Sequence, residues 1–184
     1  IPFVGQVDLG LFYYPLAAVV IVGVVNAVNF TDGIDGLNTT VSFFAFLSLA
    51  LCAGILSMTG LTALGLASAA ACVGFLIWNW HPAKVFMGDT GSLFMGGMVC
   101  ALAFGMDLPL LLLPVGFVYL CEIGSVVLQV TYFKATHGKR LFKMSPIHHH
   151  FEMCGWSEVK ICLVFGLVAL LGGAVALACV LFGL

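Results

Sequence analysis

The 184-residue chain is 62% hydrophobic and 8% charged, with a mean hydropathy of +1.20. That is too little polar surface to clothe a soluble globule, and it requires an integral membrane protein. A formal net charge of −2 excludes a strongly basic nucleic-acid binder, and seven scattered cysteines without paired spacing exclude a disulfide framework.

Ile1 to Gly10, with Pro2, Gly5 and Asp8 among apolar residues, reads as an interfacial loop or short hairpin. No basic stretch with a cleavage site follows Ile1, so no signal peptide is visible, and the chain is expected to start partway through a longer protein. Tyr13 and Tyr14 suit an aromatic belt. Apolar runs follow at 12–30, 40–58, 61–79, 91–106, 109–133 and 159–184. Most are near the ~20 residues that cross ~30 Å of hydrocarbon. The expectation is an all-α polytopic membrane protein with about six transmembrane helices, forming one domain over residues 1–184, the C-terminal portion of a larger bundle.

Alternate crossings put the loops around 31–38, 80–90 and 134–158 on one side of the membrane. Lys84, Lys134, Lys139, Arg140, Lys143 and Lys160 all fall there, which marks that side as cytoplasmic. The histidines and Asp32, Asp35, Asp89, Glu152 and Glu158 gather on the same face, leaving Asp8 and Asp107 opposite. One face therefore holds the chemistry. Glu122 is the exception, lying mid-span near Ser125 and Gln129, where an ionised carboxylate is costly unless paired or protonated. Helix–helix hydrogen bonding is its expected use, ahead of a proton path.

The first of these loops ends an apolar run abruptly, in Asn26-Ala27-Val28-Asn29-Phe30-Thr31-Asp32-Gly33-Ile34-Asp35-Gly36-Leu37. Continued helical turning would place Asn26, Asn29, Asp32 and Asp35 on one face. Gly33 and Gly36 free the backbone for close approach of a polar ligand, and the carboxylates are hard oxygen donors of the kind Mg²⁺ takes. A single Asp-Gly pair is ordinarily a helix exit and turn. Two such pairs tied to two asparagines at a membrane edge point to a site.

The second loop runs from Trp78 to Leu93 and includes Asn79, Phe86 and Gly88-Asp89-Thr90-Gly91-Ser92. Asp89 ahead of a helix can cap it, and the same geometry serves phosphate chemistry. A helix N-terminus with bare glycine amides attracts phosphate, and a carboxylate beside it can hold Mg²⁺. Phe86 can stack on a base or anchor at the interface. An intramembrane aspartyl protease would need Gly-x-Gly-Asp, and Phe86 stands where its first glycine would be.

The third loop carries His137 and the basic cluster, then Ser145-Pro146-Ile147-His148-His149-His150-Phe151-Glu152. Most of the basic side chains are explained by topology and anionic headgroups. Three consecutive histidines diverge in any regular conformation and do not converge on one metal, so a grip on phosphate oxygens suits them better.

With these segments in view, the chain resembles the phospho-N-acetylmuramoyl-pentapeptide transferases of bacterial peptidoglycan synthesis, within the polyprenyl-phosphate N-acetylhexosamine-1-phosphate transferase superfamily. The likeness is carried by Asn26 to Leu37, Phe86 to Leu93 and Pro146 to Glu152, in that order. Superfamily relatives that transfer N-acetylglucosamine phosphate usually carry a different histidine arrangement, so His-His-His-Phe-Glu favours the muramoyl branch.

The resemblance implies transfer of phospho-MurNAc-pentapeptide from UDP-MurNAc-pentapeptide to undecaprenyl phosphate, giving lipid I and UMP with Mg²⁺, in a bacterial inner membrane with the site facing the cytoplasm. It implies that Asp89 is the metal ligand and that Asp32 and Asp35, with Asn29, form the acidic pair of the catalytic region. Asn79, Phe86 and Gly88 then line a uridine pocket, His148, His149 and His150 form the essential histidine loop, and the protein is a homodimer. The family also uses adjacent aspartates and a lysine in an earlier cytoplasmic part, and no Asp-Asp occurs here. The chain thus matches about the second half of such an enzyme and is expected to be inactive alone. Direct attack by the lipid phosphate is preferred to an aspartyl-phosphate intermediate. A secondary transporter would explain buried Glu122 but not the crowding of ionisable groups on one face. A protease would cleave peptide without any nucleotide.

Overall fold

The computed structural model describes residues 9–183, so the expected loop over Ile1–Gly10 lies, apart from its last two residues, outside the described residues. Among the described residues every element is helical: α1 (Tyr13–Phe30), α2 (Leu37–Ile55), α3 (Thr59–Asn79), α4 (Gly88–Gly105), α5 (Leu112–Val115), α6 (Phe117–Ala135), α7 (Ile147–Met153) and α8 (Glu158–Phe182). Single 3-10 turns occur at Gly10–Phe12 and Pro109–Leu111. The all-α polytopic expectation holds.

Among the described residues, five helices are long and apolar enough to cross a membrane: Gly10–Phe30, α2, α3, α6 and α8. The expected span over 91–106 is a helix of 18 residues, but it opens on the polar turn Gly88-Asp89-Thr90-Gly91-Ser92 and falls short of the others in apolar character. The expected single span over 109–133 is broken. Pro114 lacks an amide hydrogen, and at Gly116 the N–H bonds back to the Leu112 carbonyl at 2.9 Å, where a Cβ would collide with that same oxygen. The run is therefore divided at Gly116 into α5 and α6.

The hub is α2, buried along most of its length and packed on α3 and α8. Gly166 and Gly173 of α8 let that helix approach Thr40 and Ser48 so closely that a Cβ on either would clash. Small residues at contacts supply van der Waals packing where lipid gives no hydrophobic drive. α1 packs along α4 and touches α6. Val19, Val22, Ile77, Val127 and Leu171 stay exposed, as hydrocarbon-facing side chains can.

This arrangement brings the turn 31–36, the loop 80–87 and the segment 136–157 to one end of the bundle. Asn29 reaches Asp89, Asp35 reaches His81 and Glu158, and His148 lies over Gly33. The shared face expected from alternate crossings is present.

Candidate active site

α1 stops at Phe30, where Thr31 turns its hydroxyl back to the Ala27 carbonyl at 2.8 Å. The polar stripe expected of Asn26, Asn29, Asp32 and Asp35 therefore breaks after Asn29. Asn26 spends its amide on Val22 of its own helix, at 2.8 Å. Asn29 donates instead to Asp89 Oδ1 at 3.0 Å and to Ser92 Oγ at 2.8 Å, tying α1 to the first turn of α4. Asp32 and Asp35 are delivered by the turn, which enters α2 through Gly36 at a φ of 73°.

Gly33 lines the cleft and has a second use on its other side. A Cβ there would fall on the Nε2 edge of the His148 ring, so the glycine makes room for a side chain of α7. His148 is wholly buried, with Nδ1 at 2.9 Å from Oε2 of equally buried Glu122. The helix–helix hydrogen bond expected of Glu122 is thus made, to the histidine helix. Ser125 bonds the Glu122 carbonyl at 2.7 Å, and Gln129 accepts from Leu141 and Phe142, so neither serves the carboxylate.

A cleft of about 200 Å³ opens beside this turn, lined by Asp32, Asp35, Asn79, Phe86 and His149, together with Glu152 and Glu158. Phe86 is 72% exposed, so its ring is accessible to a ligand. Asn79 is buried and holds the loop, accepting from Thr39 at 2.7 Å and donating to the Val85 carbonyl at 3.0 Å. Gly88 begins α4 at a φ of 59°, with open space where a side chain would project. Asp89 sits exposed on the next residue, beside Asn29.

The three histidines take different partners, although the His148 and His149 rings lie 4.1 Å apart, centroid to centroid. His148 points behind the turn, and His149 faces the cleft paired with Glu152. His150 turns away: its Nδ1 accepts the Lys143 N–H at 3.1 Å, and its ring meets Phe142 and Phe151. Five predicted residues therefore line the cleft, while Asn29, Gly88 and Asp89 flank it, His148 supports it and His150 lies outside.

Sequence reasoning missed a knot of three residues. Asp35 Oδ2 accepts from Ala83 N–H at 2.9 Å and meets His81 Nδ1 at 3.0 Å, while Glu158 Oε2 accepts the Asp35 N–H at 2.9 Å. Their ligand-type atoms lie within 4.8 Å of one another, but these hydrogen bonds already account for the geometry. Glu158 follows the N-cap Ser157, so in sequence it reads as an ordinary acid in a first helical turn. Asn38 was also missed. It stabilises the charged form of Asp32, its Oδ1 accepts from Ser42 Oγ at 3.2 Å, and that hydroxyl lies 2.8 Å from the hydroxyl of Tyr119.

Burial holds the Asp32 carboxyl up at about 6; a hydrogen bond from Asn38 pulls it down, and the Asp89 charge pushes it up again. The folded protein therefore binds this proton more tightly than the unfolded chain. The stability it contributes is complete below the ordinary value of 3.8 and is lost as pH rises through about 6. Asp32→Asn is accordingly expected to raise the thermal midpoint in Mg²⁺-free detergent more at pH 8 than at pH 4.5. An equal gain at both pH values would contradict this charge penalty.

Two carboxylates that repel each other, with no lysine or arginine ion-paired to either among the described residues, offer hard oxygen donors and uncompensated charge. That donor set fits Mg²⁺.

A family profile described as glycosyl transferase family 4 matches residues 1–107. Among curated proteins, the chain is similar to the phospho-N-acetylmuramoyl-pentapeptide-transferase of Clostridium perfringens, with 49% identity over 97% of this chain and 55% of that protein. A namesake from Clostridium botulinum is 47% identical over 93% of this chain and 53% of its own length. One from Desulfitobacterium hafniense is 44% identical over 100% of this chain and 58% of its own length. The chain spans about half the length of the curated relatives it matches.

Proposed function

The chain belongs to glycosyl transferase family 4, and from that premise we propose that, completed to the length of its relatives, it transfers phospho-MurNAc-pentapeptide from its UDP carrier to undecaprenyl phosphate, forming lipid I and UMP. The observation that carries this reading is the meeting of Asp32, Asp35, Asn79, Phe86 and His149 in one cleft, with Asp89 at the neighbouring helix start, on a bundle of membrane-length helices. Such a cleft at the end of the bundle lets a water-soluble nucleotide and a lipid-borne phosphate reach the same atoms.

Phosphoryl transfer asks mainly for positioning and charge neutralisation. Phe86 stacks on the uracil, and Asn79 shapes the loop that presents it. The diphosphate lies toward the N-terminus of α4, where the helix dipole and the amides after Gly88 favour its charge. Asp89 and Asp32 would hold Mg²⁺, which when bound neutralises diphosphate charge in this site. An oxygen of the lipid phosphate attacks the sugar-bearing phosphorus in line, and the bond to UMP breaks. With a second ionisation near pH ~6, the lipid phosphate is largely dianionic already and needs no strong base. His149, held by Glu152, faces the transferred phosphate as a donor. The basic residues and the cleft at one end favour a cytoplasmic orientation in a bacterial inner membrane. The family resemblance adds a homodimer.

The deciding experiment restores the relatives' full length and follows UMP release. Release that requires both Mg²⁺ and the polyprenyl phosphate is expected. Turnover of the nucleotide sugar with no lipid acceptor would refute the transfer.

A further inference from the structure

The buried pair Glu122–His148 stands outside the cleft and has no part in the reaction as derived so far. Both side chains are wholly buried, and both keep one polar atom without a hydrogen-bond partner, Glu122 Oε1 and His148 Nε2. Burying two such groups with half their capacity unused is costly, so the contact they do make, 2.9 Å from Oε2 to Nδ1, needs a reason beyond stability. The surroundings supply it. His148 Nε2 abuts Gly33 with no acceptor in reach, so the shared proton lies between Nδ1 and the carboxylate. The Nε2 edge of the ring is thereby held against the turn carrying Asp32 and Asp35, and the ring lies 4.1 Å, centroid to centroid, from His149. Glu122 sits on α6, which also holds the loop before α7 through Gln129, at 3.1 Å and 2.8 Å.

We propose that Glu122 is a positioning residue for the transfer reaction. Acting through His148, it sets the distance between α7, which carries His149, and the Asp32–Asp35 turn. It touches no substrate. This rests on the transferase reading above, and the test separates the two.

In the full-length protein, Glu122→Gln keeps shape and one hydrogen bond to the ring, whereas Glu122→Ala removes both. If the pair positions α7, Glu122→Ala lowers kcat about thirtyfold with the nucleotide-sugar KM within about threefold, and Glu122→Gln recovers kcat to within about threefold of the parent. Amide exchange over residues 147–153 rises in Glu122→Ala and not in Glu122→Gln, a readout independent of turnover. Glu122→Gln as inactive as Glu122→Ala would mean the charge itself matters and would overturn the proposal, as would unchanged α7 exchange in Glu122→Ala. A parent that releases no UMP would instead sink the transferase reading, while α7 exchange would still report on the contact.

Discussion

Asp89→Asn is expected to lower UMP release several-hundredfold at saturating Mg²⁺, with the fold intact. The substitution is nearly isosteric, and an Asn side-chain oxygen can still accept from Asn29 Nδ2, so the α1–α4 tie at 3.0 Å is kept. What disappears is a charged oxygen at the start of α4 that would help hold Mg²⁺ beside the diphosphate. Loss of one preorganised electrostatic group at a transferring centre typically costs about 10²- to 10³-fold in rate. The substitution also removes the charge that pushes the Asp32 carboxyl upward, so Asp32 moves back toward the ordinary carboxylate range. Initial rates across a Mg²⁺ titration give the check. A variant with parental turnover at saturating Mg²⁺ would remove Asp89 from the reaction.

The helical architecture was readable because a bilayer leaves the backbone few choices, and apolar runs near twenty residues announce themselves. Where polarity intruded the reading blurred. The first turn of α4 spends five residues on glycine, acid and hydroxyl, so its apolar run announces the helix three residues late, and Pro114 and Gly116 sit inside an apolar run that reads as continuous. The gathering of charge at one end was also legible, since parity of crossings needs no side-chain detail. The pairings within that end were not. Asp35 meets Glu158 across 123 residues, and His148 meets Glu122 across 26, with no local periodicity to betray either contact. That the three histidines do not share one partner follows from helix geometry, but which one faces the cleft depends on how a seven-residue helix is rotated. That rotation is set by Glu122 and Gly33, on two other elements.

Gly33→Ala tests that dependence at its tightest point, and it is expected to reduce UMP release more than a hundredfold. The added methyl must share space with His148 Nε2. A free ring would swing aside, but this one is buried and held at 2.9 Å by Glu122, so the turn must move instead. Overpacking of this kind costs roughly 1–3 kcal/mol. The larger consequence is geometric, since a shift of about 1 Å at a reacting centre can cost about 10²-fold in rate. Gly97→Ala is the matching control: it sits in α4 with nothing near the added methyl, and it should be silent. The cause can be separated from mere fragility of the turn by a double-mutant cycle. His148→Ala removes the obstructing ring and lowers activity by itself, but in that background Gly33→Ala should add little further loss, a strong departure from additivity. Independent, multiplying losses would mean that Gly33 is needed for the backbone of the turn and not for the ring that rests on it.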